Sequence, residues 1–357
     1  MITISLCMIV KNEEDTLPRC LASVRGLAEE LIVVDTGSSD RTVEIAQGFG
    51  ARVFAFPWSE DFALARNFSF SKATQEFCLW LDADDVIEPE DLEGFLELKR
   101  TLPPDTDVVM LPYHAAFDQA GRPTLTYYRE RLIRRLSGLA WQGAVHEAIT
   151  PAGRVLRWDG AAVSHRKLRP GDPDRNLRIY ETLLAQGKHL SPREQFYYAR
   201  ELAAHGRDQE AAAQWEAFLD GGEGWVENEI QACRDLYQCR LRQGMEREAF
   251  QALTRALAYG PPRAELCCDL GSWFFQREDY PTAIFWYETA LTRPREDGAG
   301  GFVSPDCSGY LPCIQLCVCW YRMGDLARSQ EYNRQAGNFK PEGGEYLFNQ
   351  RFFQSLE

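Results

Sequence analysis

Phe77-Cys78-Leu79-Trp80-Leu81-Asp82-Ala83-Asp84-Asp85 is an apolar run that ends in three carboxylates within four residues. The run has the length of a buried strand, and the acids stand where that strand stops. The pattern occurs twice upstream. Residues 2–10 are nearly all apolar, rich in Ile and Val, and lead into Lys11-Asn12-Glu13. Glu30 to Val34 leads into Asp35-Thr36-Gly37-Ser38-Ser39-Asp40, which is turn chemistry followed by a helix start. Between these runs, Leu17, Leu21, Val24 and Leu27 recur at helical spacing and predict a helix over 16–28. Further helices are predicted over 42–49 and 62–74, and a strand over 51–56. Such alternation predicts a mostly parallel sheet covered by helices on both faces. Ligands of these sheets sit beyond the carboxyl ends of the strands. The polar clusters at 11–13, 35–40 and 82–85 should therefore share one edge.

Outward from this core the pattern changes. Residues 107–165 hold short β-like runs at 108–111, 124–128 and 155–158, read as an extension that completes the first domain. Arg169-Pro170-Gly171-Asp172-Pro173 is a breaker cluster and marks a boundary. The second half is helical and repetitive. Aligning Gly206-x4-Ala211, Gly244-x4-Ala249, Asp279-x3-Ala283 and Gly324-x4-Ser329 gives steps of 38, 34 and 46 residues between the small residues. A step of 34 is the tetratricopeptide period, and the segment Leu270-Gly271, Phe274, Ala283, Tyr287, Ala290, Pro294 follows that pattern best. Residues 295–305 read as an irregular insertion. The expected organisation is an α/β domain over 1–172, a linker helix over 173–190, repeats over 191–341 and a tail over 342–357.

With 39 basic and 53 acidic residues the net charge is −14, which argues against nucleic acid or an anionic membrane as partner. No stretch of 18 apolar residues occurs, and the first residues lack a signal-peptide pattern. Eleven cysteines without a secretion signal imply reduced thiols and a cytoplasmic setting. Cys307, Cys313, Cys317 and Cys319 do not form paired zinc knuckles and read as buried thiols in helices. The sequence does not address oligomeric state.

Three clustered carboxylates repel one another unless a cation or a basic group is near, and a hard divalent ion fits them. Taken alone, the cluster also suits a solvated turn capping a helix at Glu88-Pro89-Glu90-Asp91, and Asp82-x-Asp84 resembles the nucleophile motif of haloacid-dehalogenase phosphatases. The order of motifs narrows the choice. Ile9-Val10-Lys11-Asn12-Glu13-Glu14, Ile32-Val33-Val34-Asp35-Thr36-Gly37-Ser38-Ser39-Asp40, Ala65-Arg66-Asn67 and Leu81-Asp82-Ala83-Asp84-Asp85 occur in that succession. Over residues 2–170 the chain resembles a family-2 glycosyltransferase with the A-type nucleotide-sugar fold. With its trailing repeats it is similar to a bacterial subgroup that includes the sublancin-type peptide S-glycosyltransferases.

This resemblance implies a fold class, α/β nucleotide-sugar-binding (GT-A-like), followed by an all-α tetratricopeptide-like domain. It also implies roles. Val10, Lys11, Asn12 and Glu13 would wrap the nucleoside of a donor, expected to be a UDP-sugar. Asp35 would meet the base or ribose, beside Thr36, where the family often has a second acid. Arg66 would meet the diphosphate, Asp82 would contact the ribose or the metal, and Ala83 would lie against the donor. Asp84 and a late histidine, His165, would hold Mn²⁺ or Mg²⁺. Within Trp141-Gln142-Gly143-Ala144-Val145-His146-Glu147, Glu147 would be the base of an inverting transfer and His146 its alternative. If Arg166 and Lys167 face the site, they would neutralise the departing diphosphate. The acceptor is expected to be a peptide or protein held by the repeats, with a cell-surface saccharide or lipid as the alternative. The rival function is an inactive nucleotide-sugar-binding scaffold whose repeats bind a protein.

Overall fold

The computed structural model describes residues 1–118, 121–294 and 302–356. The chain divides into two compact units, 1–194 and 195–357. The segment 173–190, expected as a linker, falls inside the first unit, where Leu177, Ile179, Tyr180 and Leu183 bury one face of a helix at Arg175–Ala185.

Among the described residues, the first unit is built on one sheet of nine strands: β1 (Ile4–Val10), β2 (Glu30–Asp35), β3 (Arg52–Ala55), β4 (Phe77–Trp80), β5 (Asp85–Val86), β6 (Val108–Phe117), β7 (Pro123–Arg134), β8 (Val155–Arg157) and β9 (Val163–His165). Their order is β3-β2-β1-β4-β7-β6-β9-β5, with β8 paired to β6. The first four strands are mutually parallel. β4 and β6 each pair antiparallel with β7, so the β-rich extension joins the same sheet. Helices α1 (Leu17–Ser23), α2 (Thr42–Gly48), α3 (Phe62–Ser71) and α4 (Pro89–Thr101) follow β1, β2, β3 and β5, and the helix at Arg175–Ala185 is α5.

β1 explains the layers. Ile4, Leu6, Met8 and Val10 point to one face, against Leu17 and Leu21 of α1 and Phe95 and Leu98 of α4. Cys7 points to the other, with Ile32, Val34 and Cys78, against Phe68 and Phe70 of α3. Both faces are covered, so the strand is apolar at consecutive positions rather than alternate ones. Each large side chain buried here stabilises the unit by about 1.5–3 kcal/mol.

The second unit is a row of helical hairpins: α6 (Pro192–Ala204) with α7 (Asp208–Gly221), α8 (Val226–Arg242) with α9 (Glu246–Arg255), α10 (Ala264–Phe275) with α11 (Tyr280–Leu291), and α12 (Tyr310–Arg322) with α13 (Leu326–Phe339). The aligned small residues Ala211, Ala249, Ala283 and Ser329 all have 0% exposure and sit on the second helix of each hairpin. Ser329 satisfies its hydroxyl by donating to the Cys317 carbonyl at 2.7 Å. Between the paired helices the backbone turns through the left-handed region, at Gly206, Gly244 and Gly324 (φ 73°, 73° and 81°) and at Glu278 (φ 60°). Of the expected insertion at 295–305, residues 295–301 lie outside the described residues. The expected tail holds a helix, α14 (Gly344–Gln354), anchored where the Tyr310 hydroxyl donates to Glu345 Oε2 at 2.8 Å. All eleven cysteines are buried and unpaired. Among the described residues no helix is long and apolar enough to cross a membrane.

Candidate active site

The site forms where β1, β2 and β4 end side by side. At β1 and β2, Val10 and Asp35 are register partners, which sets the two following loops together. Asn12 takes a left-handed conformation (φ 55°), which asparagine tolerates well. Its Oδ1 accepts from the Ser39 amide at 2.8 Å, and its own amide donates to Ser38 Oγ at 2.9 Å. The Glu13 amide donates to Thr42 Oγ1 at 2.7 Å. Asp35 accepts from the amides of Gly37 and Ser38 and so builds its own turn. Lys11 stands exposed at the rim.

Three of the expected donor-contacting residues turn their side chains inward. Val10 and Ala83 belong to the apolar core. Thr36 is buried and donates through both its amide and its hydroxyl to the Val10 carbonyl, at 2.9 and 3.1 Å. An aspartate at 36 could not make the hydroxyl bond and would be desolvated without a donor, which accounts for the threonine.

Arg66 lies on α3 and is 6% exposed. Its Nη2 donates to Asp82 Oδ1 and its Nε to Glu147 Oε1, both at 2.6 Å. The guanidinium also lies 4.9 Å from the ring centroids of Trp80 and Trp141. These contacts hold its pKa above the ordinary value against the cost of burial. Desolvation would raise the Asp82 pKa, but Arg66 and then Arg131 bring it down to about 2. Asn67, the next residue of α3, clamps the backbone of Trp141: its Nδ2 donates to the carbonyl at 3.0 Å and its Oδ1 accepts from the amide at 2.9 Å. A bridge between Gln142 and Ala148 then closes the loop that carries His146 and Glu147. His146 is left-handed (φ 52°), a costly conformation for this residue, and its carbonyl accepts from Arg193.

The second half of the cluster is set by two very short strands. β5 and β9 pair Asp85 with His165. Asp84, Asp85 and His165 place one ligand atom each within 4.8 Å of one another, the only such group among the described residues. His165 Nδ1 is buried and stands 3.5 Å from Asp84 Oδ1 and 3.4 Å from Asp85 Oδ1, without closing a well-directed hydrogen bond to either. Two carboxylates and an orphaned imidazole nitrogen suit a divalent ion. The Asp85 carboxylate, and behind it Asp84, hold the His165 pKa above its ordinary value. Burial raises that of Asp84, opposed by His165 and assisted by Asp82 and Asp85.

Asp85 carries contacts that sequence reasoning left unassigned. It is fully buried; Oδ1 accepts from the Tyr113 hydroxyl at 3.0 Å, and Oδ2 from Arg131 Nη1 at 2.9 Å and from the Asp82 amide at 3.0 Å. Asp85 thus braces the turn that presents Asp82 and Asp84. The signal for its partner was Arg129-Glu130-Arg131 standing directly before Leu132-Ile133, charges where a buried strand continues. Arg166, considered for the diphosphate if it faced the site, donates Nε to Glu88 Oε1 at 2.7 Å and covers the Phe117 ring. The four cysteines considered for zinc join no metal-binding group among the described residues.

Parts of the chain are similar to known proteins. Residues 5–153 match the family described as Glycosyl transferase family 2. A TPR repeat-containing protein of Synechococcus elongatus is 35% identical over 52% of this chain and 49% of its own length. The SPbeta prophage-derived glycosyltransferase SunS of Bacillus subtilis is 29% identical over 58% of this chain and 51% of its own. The chain therefore spans about half the length of these curated relatives. Among solved structures, S. aureus TarS aligns over 72% of this chain and 54% of its own, with 14% identity and a TM-score of 0.36. Over residues 5–153 the chain is thus similar to family-2 glycosyltransferases, and tetratricopeptide-like helical repeats follow that segment.

Proposed function

We propose that this protein is an inverting, metal-dependent glycosyltransferase that uses a nucleoside-diphosphate sugar, with a UDP-sugar as first choice. The observation that carries the reading is the juxtaposition of the Asp82–Arg66–Glu147 chain with the Asp84–Asp85–His165 group at the carboxyl ends of parallel strands. Asp84 and His165 would hold Mn²⁺ or Mg²⁺, with Asp85 bracing them. Such an ion supplies positive charge against the departing diphosphate. The nucleoside lies along the loops at 11–14 and 35–40.

Arg66 has two tasks in this reading. A guanidinium paired to two carboxylates offers its fork to an arriving diphosphate, which carries more charge than either. The diphosphate then competes with Glu147 for Arg66. Released from that ion pair, Glu147 accepts the proton of the acceptor nucleophile as the new glycosidic bond forms on the face opposite the departing diphosphate. The base is thus freed only when donor is bound, which suppresses acceptor activation in its absence. The helical repeats and the resemblance to peptide S-glycosyltransferases favour a peptide acceptor, and the buried, unpaired cysteines favour a reducing, cytoplasmic setting.

The test is a thermal-shift panel of UDP-, GDP-, CMP- and dTDP-sugars with and without Mn²⁺, on wild type, Asp84→Asn and Glu147→Gln. One nucleotide class should stabilise wild type only with metal, Asp84→Asn should lose that effect, and Glu147→Gln should keep it while losing transfer. Absence of any shift in folded protein would overturn the reading; a donor-dependent shift in a wild type that transfers no sugar would favour the scaffold function.

A further inference from the structure

The first helices of three successive hairpins, α6, α8 and α10, share a face rich in charge. Arg234 donates to Asp269 Oδ2 at 2.5 Å and to Gln231 Oε1 at 3.1 Å; Gln231 Nε2 donates to Asp235 Oδ1 at 2.7 Å; Arg200 lies 3.6 Å from Asp235; and Arg263 is paired to Glu227 through both of its terminal nitrogens. Glu227 and Glu265, in the first turns of α8 and α10, are each less than 8% exposed. Carboxylates are rarely buried this far at the start of a repeat helix unless something covers them.

The cover comes from the chain itself. Phe302, three residues before the short helical segment at Pro305–Ser308, packs against this face. Its ring is 5.9 Å from that of Phe196, and the Arg200 guanidinium sits 4.7 Å from its centroid. Two residues on, the Ser304 amide donates to Glu265 Oε1 at 2.7 Å. Beneath Phe302 remains a void of about 10 Å³ lined by Glu227, Gln231, Arg234, Arg263 and Glu265, room for about one water molecule. Phe302 contacts α6, and the void it roofs is walled by α8 and α10. The segment therefore crosses helices of three hairpins with an aromatic side chain on one of them and a main-chain bond on another. Those are the two kinds of contact by which an extended peptide is recognised, side chain in a pocket and backbone on a polar group.

We propose that Phe302–Ser304 is a built-in plug of the repeat face, and that an extended peptide with an aromatic side chain competes for the same place. Phe196, Arg200 and Glu265 form the receiving surface: an aromatic floor, a cation for the ring face, and an acceptor for the peptide N–H. The plug is tethered, so it competes at an effective concentration in the millimolar range. A free peptide of micromolar affinity would be held back by about tenfold or more while the plug is seated. This inference concerns binding alone and is independent of sugar transfer.

The experiment uses the full chain and a fluorescein-labelled peptide Phe-Val-Ser-Pro-Asp, the sequence of residues 302–306, read by fluorescence anisotropy. Phe302→Ala should bind it at least 10-fold more tightly than wild type. The peptide Ala-Val-Ser-Pro-Asp should not bind, and Arg200→Ala introduced beside Phe302→Ala should remove most of the gain. Phe302→Asp, which sets a carboxylate next to Glu227 and Glu265, serves as a second way of ejecting the plug and should behave like Phe302→Ala. Equal affinity in wild type and both Phe302 variants, or no binding to variants that melt like wild type, would overturn the proposal.

Discussion

At Arg131 a guanidinium without exposed surface meets Asp85, a carboxylate without exposed surface. Only part of the guanidinium is hydrogen-bonded, Nη1 to Asp85 and to the Trp80 carbonyl. Its faces lie against Trp80 at 3.7 Å and Tyr113 at 4.3 Å, where ring quadrupoles replace the missing acceptors. Arg131→Met should cost about 3–5 kcal/mol in urea unfolding, because Asp85 is left charged and desolvated. Adding Asp85→Asn should recover part of the loss. The Arg66–Asp82 pair makes a different prediction. The Asp82 pKa is depressed to about 2 in the folded protein, against about 3.9 in an unfolded chain. Its contribution is therefore complete above about pH 5 and fades as pH falls toward 2. The stability gap between wild type and Asp82→Asn should be flat from pH 8 to 5 and narrow below about pH 4.

At the scale of elements, the repeat turns hold one irregularity. Three hairpins place glycine at the left-handed position and the third places Glu278 there. A left-handed L-residue costs about 1–2 kcal/mol, partly offset by the chain entropy that glycine loses. Glu278→Gly should raise stability by about 0.5–1 kcal/mol, visible as a higher urea midpoint with unchanged slope. Gly271 is constrained otherwise: a Cβ there would lie 2.7 Å from the Tyr287 ring, so the Leu270-Gly271 pair noted in the sequence is what lets α10 and α11 close. Elements of this kind were legible because their signals are local: apolar runs for β1, β2 and β4, and small residues at fixed steps for the hairpins. β5 and β9 were not, having two and three residues and no periodicity. Yet that pair brings His165 to Asp85. His165 could be named only through family resemblance, Arg131 showed only as a charge where a buried strand continues, and Tyr113 not at all, since their value depends on a strand order that sequence does not display.

At the scale of the whole molecule, each unit encloses its own apolar core, one around β1 and another around α10 to α12. Scanning calorimetry should therefore show the two units responding differently to ligand. A donor with Mn²⁺ at 100 times its Kd stabilises the unit that binds it by about 2.7 kcal/mol. For a unit of this size that is a rise of roughly 5–10 °C in its own melting component. The component of the repeats should stay in place. A single transition moving as one would instead mean that the units unfold together.

The burial of every thiol has a use beyond packing. Cys7, Cys20 and Cys78 lie in the first unit, while Cys233, Cys239, Cys267, Cys268, Cys307, Cys313, Cys317 and Cys319 lie in the second. Burial pushes the thiols of Cys233, Cys239 and Cys319 up to about 12, far from the reactive thiolate. Alkylation of these thiols by iodoacetamide should thus be slow on the native chain and report opening when it occurs, whereas the hydrogen bond from Cys268 lowers the pKa of Cys307 and sets it apart. Under a brief pulse at rising denaturant, mass spectrometry of the two sets of peptides becomes a pair of clocks, one for each half of the chain, running inside the same intact molecule.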